Sequence, residues 1–292
     1  MATVGAGSTV VQGQMATWDD FSNARDESKL RLEKATKLIG PSDEDKQRHS
    51  AFLDQPKTGI IKLVPQRECS LSTEERKNRG RFAEKCPTHF LQGGGSNFSF
   101  RKKEYVFPEQ ADITAKGNLM YSMGTLAQGI MVKLGDVPIE DVTLQSEGMV
   151  FLGHFVPSAD AGTADTQAQQ FNRGWKDGNY LYARGFDLEE DQTFGLRVVA
   201  YKGDIAREVE MSGKELGKVK REMATNQDST LKIPANASGD IRKKYDPLFR
   251  DERKDIIVVF RIVRVDPDGA ATLIWKELQR KNSPKLVPMK GE

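Results

Sequence analysis

Residues 255–278, DIIVVFRIVRVDPDGAATLIWKEL, constrain the fold of this chain more than any other stretch. Two runs rich in β-branched and aromatic residues flank Asp266-Pro267-Asp268-Gly269, where proline presets φ for a type I turn and glycine takes the positive φ that closes a hairpin. The register has two solutions. A four-residue loop sets Phe260 opposite Trp275, whereas a bulge at Gly269 shifts the pairing and sets Arg261 opposite Trp275. In both solutions these are packing contacts, and none of the residues requires a chemical role.

Upstream, short strand-like segments recur. Residues 58–64 (TGIIKLV) are aliphatic and stopped by Pro65, and Phe98 and Phe100 alternate with Ser and Arg as in a half-buried strand. Further strands are expected near 119–122, 130–134, 150–155, 180–186 and 193–201, with Gly135-Asp136-Val137-Pro138 as a turn. Helical signals concentrate in residues 18–54: a thin apolar stripe from Trp18 to Leu38, then Ser42 as N-cap ahead of Asp43, Glu44 and Asp45. Many short strands with few helices predict a mainly β chain, an antiparallel β-sandwich or barrel-like sheet with a short helical N-terminal segment.

The same pattern divides the chain into a tail at 1–17, the helical segment at 18–54, one β-rich domain at 57–280 and a tail at 281–292. Three polar stretches read as insertions in that domain: 68–87, 157–170 as an exposed loop, and 207–244 with a helix near 212–223 and a loop over 225–239. At 292 residues a well-buried core is within reach, although 37% hydrophobic against 29% charged residues places much of the chain in solvated segments. The 44 basic and 42 acidic residues are interspersed and leave a formal charge of +2, so nothing points to nucleic acid or an anionic membrane. The longest apolar run, residues 256–260, falls far short of the roughly 20 residues that cross a bilayer. The first residues carry neither a basic n-region nor an apolar h-region, so no transmembrane segment or secretory signal is expected.

Cys69 and Cys86 bracket the charged 68–87 stretch. A disulfide between them would pin a loop that cannot order itself by burial, contributing about 3 kcal/mol on the chain-entropy model. Gly93-Gly94-Gly95 lacks the pattern of a phosphate loop and precedes a strand, which makes it a permissive bend. His49, His89 and His154 are the only histidines and none sits at metal-ligand spacing; His154 alternates with Leu152 and Val156 as on a strand face. No nucleophile elbow or zinc-protease motif occurs, and no cofactor is expected. The richest aromatic interleaving is FNRGWKDGNYLYARGF at 171–186. There Trp175, Tyr180, Tyr182 and Arg184 combine flat rings with hydrogen-bonding groups, as a carbohydrate- or peptide-binding face does. Tyr180 and Tyr182, two residues apart, equally suit one face of an outer strand.

The patches KTGIIKL at 57–63, GGG at 93–95 with its Ser/Phe-alternating continuation, LGDVPIEDV at 134–142, and FRIVR at 260–264 turning into LIWK at 273–276 resemble a group of uncharacterised exported bacterial proteins common in acidobacterial genomes. The resemblance spans roughly residues 57–278 and implies an exported, periplasmic or extracellular, strand-rich domain. It transfers no activity and no site residue. With no catalytic constellation in the sequence and an aromatic patch from Trp175 to Arg184, the expected function is a non-catalytic binding or structural protein of the bacterial envelope or exterior, with a carbohydrate or peptide as its ligand. Two alternatives stand beside it: a hydrolase drawing a dispersed acid and base from His154, Asp177, Asp187 and Glu189, and a subunit of an envelope or extracellular assembly.

Overall fold

The computed structural model describes residues 39–65, 95–106, 108–203, 209–212, 230–233 and 251–287. Two compact units emerge, one from residues 1–31 and 206–249, the other from 32–205 and 250–292. In the smaller unit the described residues form one antiparallel ladder, with Val209 opposite Ile233 and Ser212 opposite Thr230. Thr230–Ile233, expected as loop, is thus a strand, because a partner ladder satisfies its backbone where sequence polarity alone argued against pairing.

The larger unit is a mainly β sandwich. In chain order its strands are β1 (Thr58–Leu63), β2 (Asn97–Ser99), β3 (Glu104–Tyr105), β4 (Ile113–Lys116), β5 (Leu119–Tyr121), β6 (Ala127–Gly135), β7 (Trp175–Asp177), β8 (Tyr180–Ala183) and β9 (Gly185–Asp187). The long strands β10 (Thr193–Ala200), β14 (Lys254–Val265) and β15 (Ala271–Asn282) follow; β11 (Lys202–Gly203) and β16 (Lys285–Leu286) form a small parallel pair, and the ladder of the other unit is β12 and β13. The main sheet runs β1-β15-β14-β10-β6-β8-β7, antiparallel throughout; the second runs β3-β2-β4-β5-β9.

Both faces of the main sheet are covered, which explains why β10, TFGLRVVA, is buried at every position instead of alternating. One face packs on the second sheet, Phe194, Leu196, Ile256, Val258, Phe260, Ile262 and Trp275 meeting Phe98, Phe100, Ile113 and Met120. Phe98 and Phe100 are therefore fully enclosed, and the strand read as half-buried is buried on both sides: Ser99 between them hydrogen-bonds Asp112 at 3.1 Å. The other face carries Ile130, Val132, Ile257, Val259 and Ile274 beneath helices α2 (Ser50–Leu53), α3 (Met149–His154) and α4 (Ala161–Arg173).

Helices α3 and α4 replace the strand expected at 150–155 and the loop expected at 157–170. In α3 the buried residues are Met149 and Leu152, three apart on one face, while β-branched Val150 faces outward. His154 accordingly ends a helix, exposed, and does not lie on a strand face. In α4 the Asp160 carboxylate accepts the Thr163 N–H at 2.8 Å as N-cap, and Ala164 and Phe171 are its only buried residues. So narrow a stripe made the segment read as solvent-borne. Ahead of β1, α1 (Asp43–Arg48) forms where Ser42 predicts it, with a full capping box between Ser42 and Asp45. The helix expected from Trp18 lies outside the described residues.

The β14–β15 hairpin settles its register in a third way. Phe260 does face Trp275, but the ladder starts at Val265 opposite Ala271, and Val263 bulges out of β14 to bring the pairing into line. Gly269 takes φ +82 in the turn without carrying the bulge. After Val263 it is Val265 that packs toward the second sheet, which frees Arg264 to ion-pair with Asp45 of α1 and with Asp266 at 2.8 Å. A second irregularity sits at Leu278, on the opposite strand.

Two glycines permit close approach, one between neighbouring strands of the main sheet and one between that sheet and a helix. A Cβ on Gly59 would stand 2.7 Å from the Trp275 indole, and one on Gly195 would overlap Sδ of Met149, where α3 settles onto the sheet. Gly59→Ala and Gly195→Ala are each expected to lower unfolding free energy by about 1–3 kcal/mol through overpacking, read from urea denaturation midpoints at constant m-value.

Candidate functional site

A cleft of about 760 Å³ opens where the hairpin's free ends meet the turn after β2 and the turn before β1. Lys57 comes from the β1 turn, Arg101, Lys102 and Lys103 from the β2 turn, Glu252 and Lys254 from the entry to β14, and Glu277, Arg280, Lys281 and Asn282 from the end of β15. Seven of these ten residues are cationic against two glutamates, and none is aromatic or aliphatic. The register brings the hairpin's share together, pairing Lys254 with Asn282 and Asp255 with Lys281.

The floor is a buried ion network. Arg101, with a fully buried side chain, donates from Nε to Asp112 at 2.7 Å, from Nη1 to Asp251 at 2.6 Å and from Nη2 to the Gln110 carbonyl at 2.7 Å. Its own N–H reaches the other Asp112 oxygen at 3.0 Å, so one carboxylate fixes both the turn and its side chain. Asp251 also accepts from Arg253 at 2.9 Å, and the two carboxylates balance the two guanidinia. Burial opposes the Arg101 charge, but Asp112 and Asp251 outweigh it and hold the guanidinium above its ordinary pKa. None of its nitrogens is left without a partner.

Nearer the surface the cations fall into two groups. Arg280 grips Glu277 through Nη2 at 2.7 Å and donates to the Arg101 carbonyl at 3.0 Å; Lys102 pairs with Glu104 at 2.7 Å and Lys254 with Glu252 at 3.6 Å. Among the described residues the ammonium groups of Lys57, Lys103 and Lys281 have no hydrogen-bond or ion-pair partner, and all three side chains are exposed. The arrangement can hold an anion by charge. It places no nucleophile beside a base.

The residues singled out at 175–184 sit at the other edge of the main sheet. Trp175, 43% exposed on edge strand β7, lies opposite Tyr182 on β8, and Tyr180 lies opposite Asp177. Tyr182 is buried: its hydroxyl donates to the Gly148 carbonyl at 2.9 Å and its ring lies 4.2 Å from that of Phe151. It packs α3 onto the sheet. Tyr180 is half-buried with its hydroxyl 3.4 Å from Glu147, and Arg184 donates from Nε to the Ser122 carbonyl at 2.7 Å. Trp175, Leu181, the exposed Arg184 and part of Tyr180 are what this edge offers to a ligand.

His154, Asp177 and Asp187 come from α3, β7 and β9, and Glu189 from the loop that follows β9. No hydrogen bond links any two, none lines the cleft, and Glu189 pairs with Lys133 at 2.5 Å. Cys69 and Cys86 lie outside the described residues. Among the described residues no group of three His, Cys, Asp or Glu side chains could hold a metal ion, and no helix is long and apolar enough to cross a membrane.

Asp112→Ala, which strands Arg101 with half its carboxylate partners, is expected to cost about 3–5 kcal/mol in denaturant unfolding. Burial pushes the hydroxyls of Tyr182 and Tyr201 up from 10.0 to about 12. A raised folded-state pKa favours the neutral phenol, so their contribution is intact below pH 10.0 and is lost as pH rises toward 12. Alkaline unfolding followed by tyrosinate absorbance should show this loss, and Tyr182→Phe should remove part of it while costing about 1 kcal/mol at neutral pH. No family model, curated protein or solved structure matches this chain.

Proposed function

We propose that the chain is a non-catalytic binding protein that holds an anionic ligand in the basic cleft, and that it works in the bacterial envelope or exterior. The observation that carries this reading is the lining itself, six cations and two glutamates above a floor, Arg101 with its aspartates, whose own charges are already balanced. The balanced floor leaves the field of Lys57, Lys103 and Lys281 uncancelled among the described residues, and the ion network keeps the turn that bears Lys102 and Lys103 in place. The exported location rests on the resemblance of its strand-rich patches to exported bacterial proteins. A carbohydrate or peptide meets the requirement if it bears acidic groups.

A second reading is favoured by Trp175, exposed on an edge strand beside Tyr180, where a neutral sugar ring or an added peptide strand can lie. The two separate cleanly in one titration series. Charge-reversal variants Lys254→Glu and Lys281→Glu are each expected to weaken an anionic saccharide or acidic peptide by about fivefold to tenfold, with affinity falling as salt rises. Calorimetric titration with neutral and acidic oligosaccharides checks this. Salt-independent binding of the neutral sugars, abolished by Trp175→Ala and untouched by the lysine variants, would move the site to the β7 edge.

A further inference from the structure

Four non-glycine residues among those described adopt positive φ, a conformation that costs an L side chain energy and that glycine takes freely: Lys57 at +64, Lys103 at +59, Leu126 at +51 and Asp191 at +63. Two of them have a visible reason. Leu126 packs against the cluster of Ala164, Val199, Tyr201 and Leu286, and the Asp191 carboxylate pairs with Arg261 at 3.1 Å. Lys57 and Lys103 have none among the described residues. Their backbones do take part, the Lys57 carbonyl accepting from Glu277 N–H at 2.9 Å and the Lys103 N–H donating to the Ser99 carbonyl at 2.7 Å, but glycine would make the same bonds with less strain. Both side chains line the same cleft, and neither ammonium has a partner among the described residues.

Resting on the reading of the cleft as an anion site, we propose that Lys57 and Lys103 are ligand-contacting residues, and that the ligand is a small, phosphate-dense polyanion. Strain kept at two positions where glycine fits better is explained by the lysine side chains reaching a partner from outside the chain. The chemistry of that partner follows from the lining. Lysine ammonium groups act as point charges, and several of them converging on one cleft suit an anion that concentrates charge in a small volume. The lining holds no aromatic or aliphatic residue on which a nucleobase could stack. An acidic peptide spaces its charges at one per residue, about 3.3 Å of extended chain apart, whereas adjacent phosphates concentrate charge within one small cleft. Phosphates joined to each other and phosphates carried on a polyol share that chemistry.

The test uses the full chain, calorimetric titration and thermal unfolding, with tripolyphosphate and inositol hexakisphosphate as probes. Monophosphate, a sulfated disaccharide and an acidic peptide serve as comparisons. Lys57→Gly and Lys103→Gly are expected to hold the thermal midpoint within about 2 °C of the parent or raise it, since relief of strain offsets the freer unfolded chain. Each should weaken a polyphosphate probe by about tenfold and the double variant by more, while Lys116→Ala on β4, outside the cleft lining, leaves affinity unchanged. Preference for one probe over the other distinguishes a phosphoanhydride from a phosphorylated polyol. Polyphosphate binding undiminished in the double variant overturns the role of the two lysines while leaving the anion cleft standing. Tighter binding of the sulfated sugar or the acidic peptide than of either polyphosphate, lost in Lys254→Glu, overturns the phosphate assignment alone. If none of the anions binds the parent protein, both the inference and the reading beneath it fall.

Discussion

Phe260 and Trp275 face one another across the central hairpin, and the ring of Phe100 from the second sheet lies 6.3 Å from the first and 5.4 Å from the second. That three-ring contact sets the spacing of the two sheets, and it is extended on one side by Phe98 and Tyr105 and on the other by Phe194 and Phe186. It also positions the cleft. The residue after Phe100 is Arg101, so seating the ring delivers the guanidinium to Asp112 and Asp251, and Lys102 and Lys103 follow within the same turn. Core packing and candidate site are therefore consecutive in sequence and dependent on one another in space.

The electrostatics divide by depth. Below, in the dry interior, each charge has an opposite charge in direct contact, as for Arg101 with its two aspartates and for Arg197 with Asp255 at 2.6 Å. Arg197 additionally donates to the carbonyls of Leu152 and Phe155, tying the C-terminal end of α3 to the sheet. Above, at the rim, Lys57, Lys103 and Lys281 are exposed and have no partner among the described residues, which is tolerable only because water still reaches them. A ligand that displaced this water would have to bring its own negative charge.

The hairpin, the capped helix at Ser42, the Gly135–Pro138 turn and the antiparallel sandwich were legible in the sequence because each is specified by neighbours a few residues apart. Helix α4 was partly legible: Asp160 as cap and Ala161, Ala164, Ala168 and Phe171 at helical spacing are a signal, masked by the polar residues between them. Helix α3 was not, because six residues with Val and Phe among them suit strand and helix alike until Gly195 shows where Met149 must go. The cleft escaped notice for a different reason. Its cations come from residues 57, 101–103, 254 and 280–281, and a whole-chain charge of +2 conceals a local excess that only the register of β14 on β15 assembles. The aromatic stretch, by contrast, was conspicuous in sequence and is divided in space, Tyr182 serving the core and Trp175 facing solvent.

The two irregularities in the hairpin lie on opposite strands, Val263 extra on β14 and Leu278 extra on β15, so the displacement introduced by one is cancelled by the other. Between them Ile262, Phe260 and Val258 meet Leu273, Trp275 and Glu277 in one frame; beyond either, the frame differs by one residue. A chain that lost Val263 or Leu278 would keep a continuous ladder there, whereas loss of any residue between them would turn half of the buried face outward. The hairpin can thus absorb the loss of a residue at two sites inside its strands, a place where loops, not strands, are usually expected to absorb it.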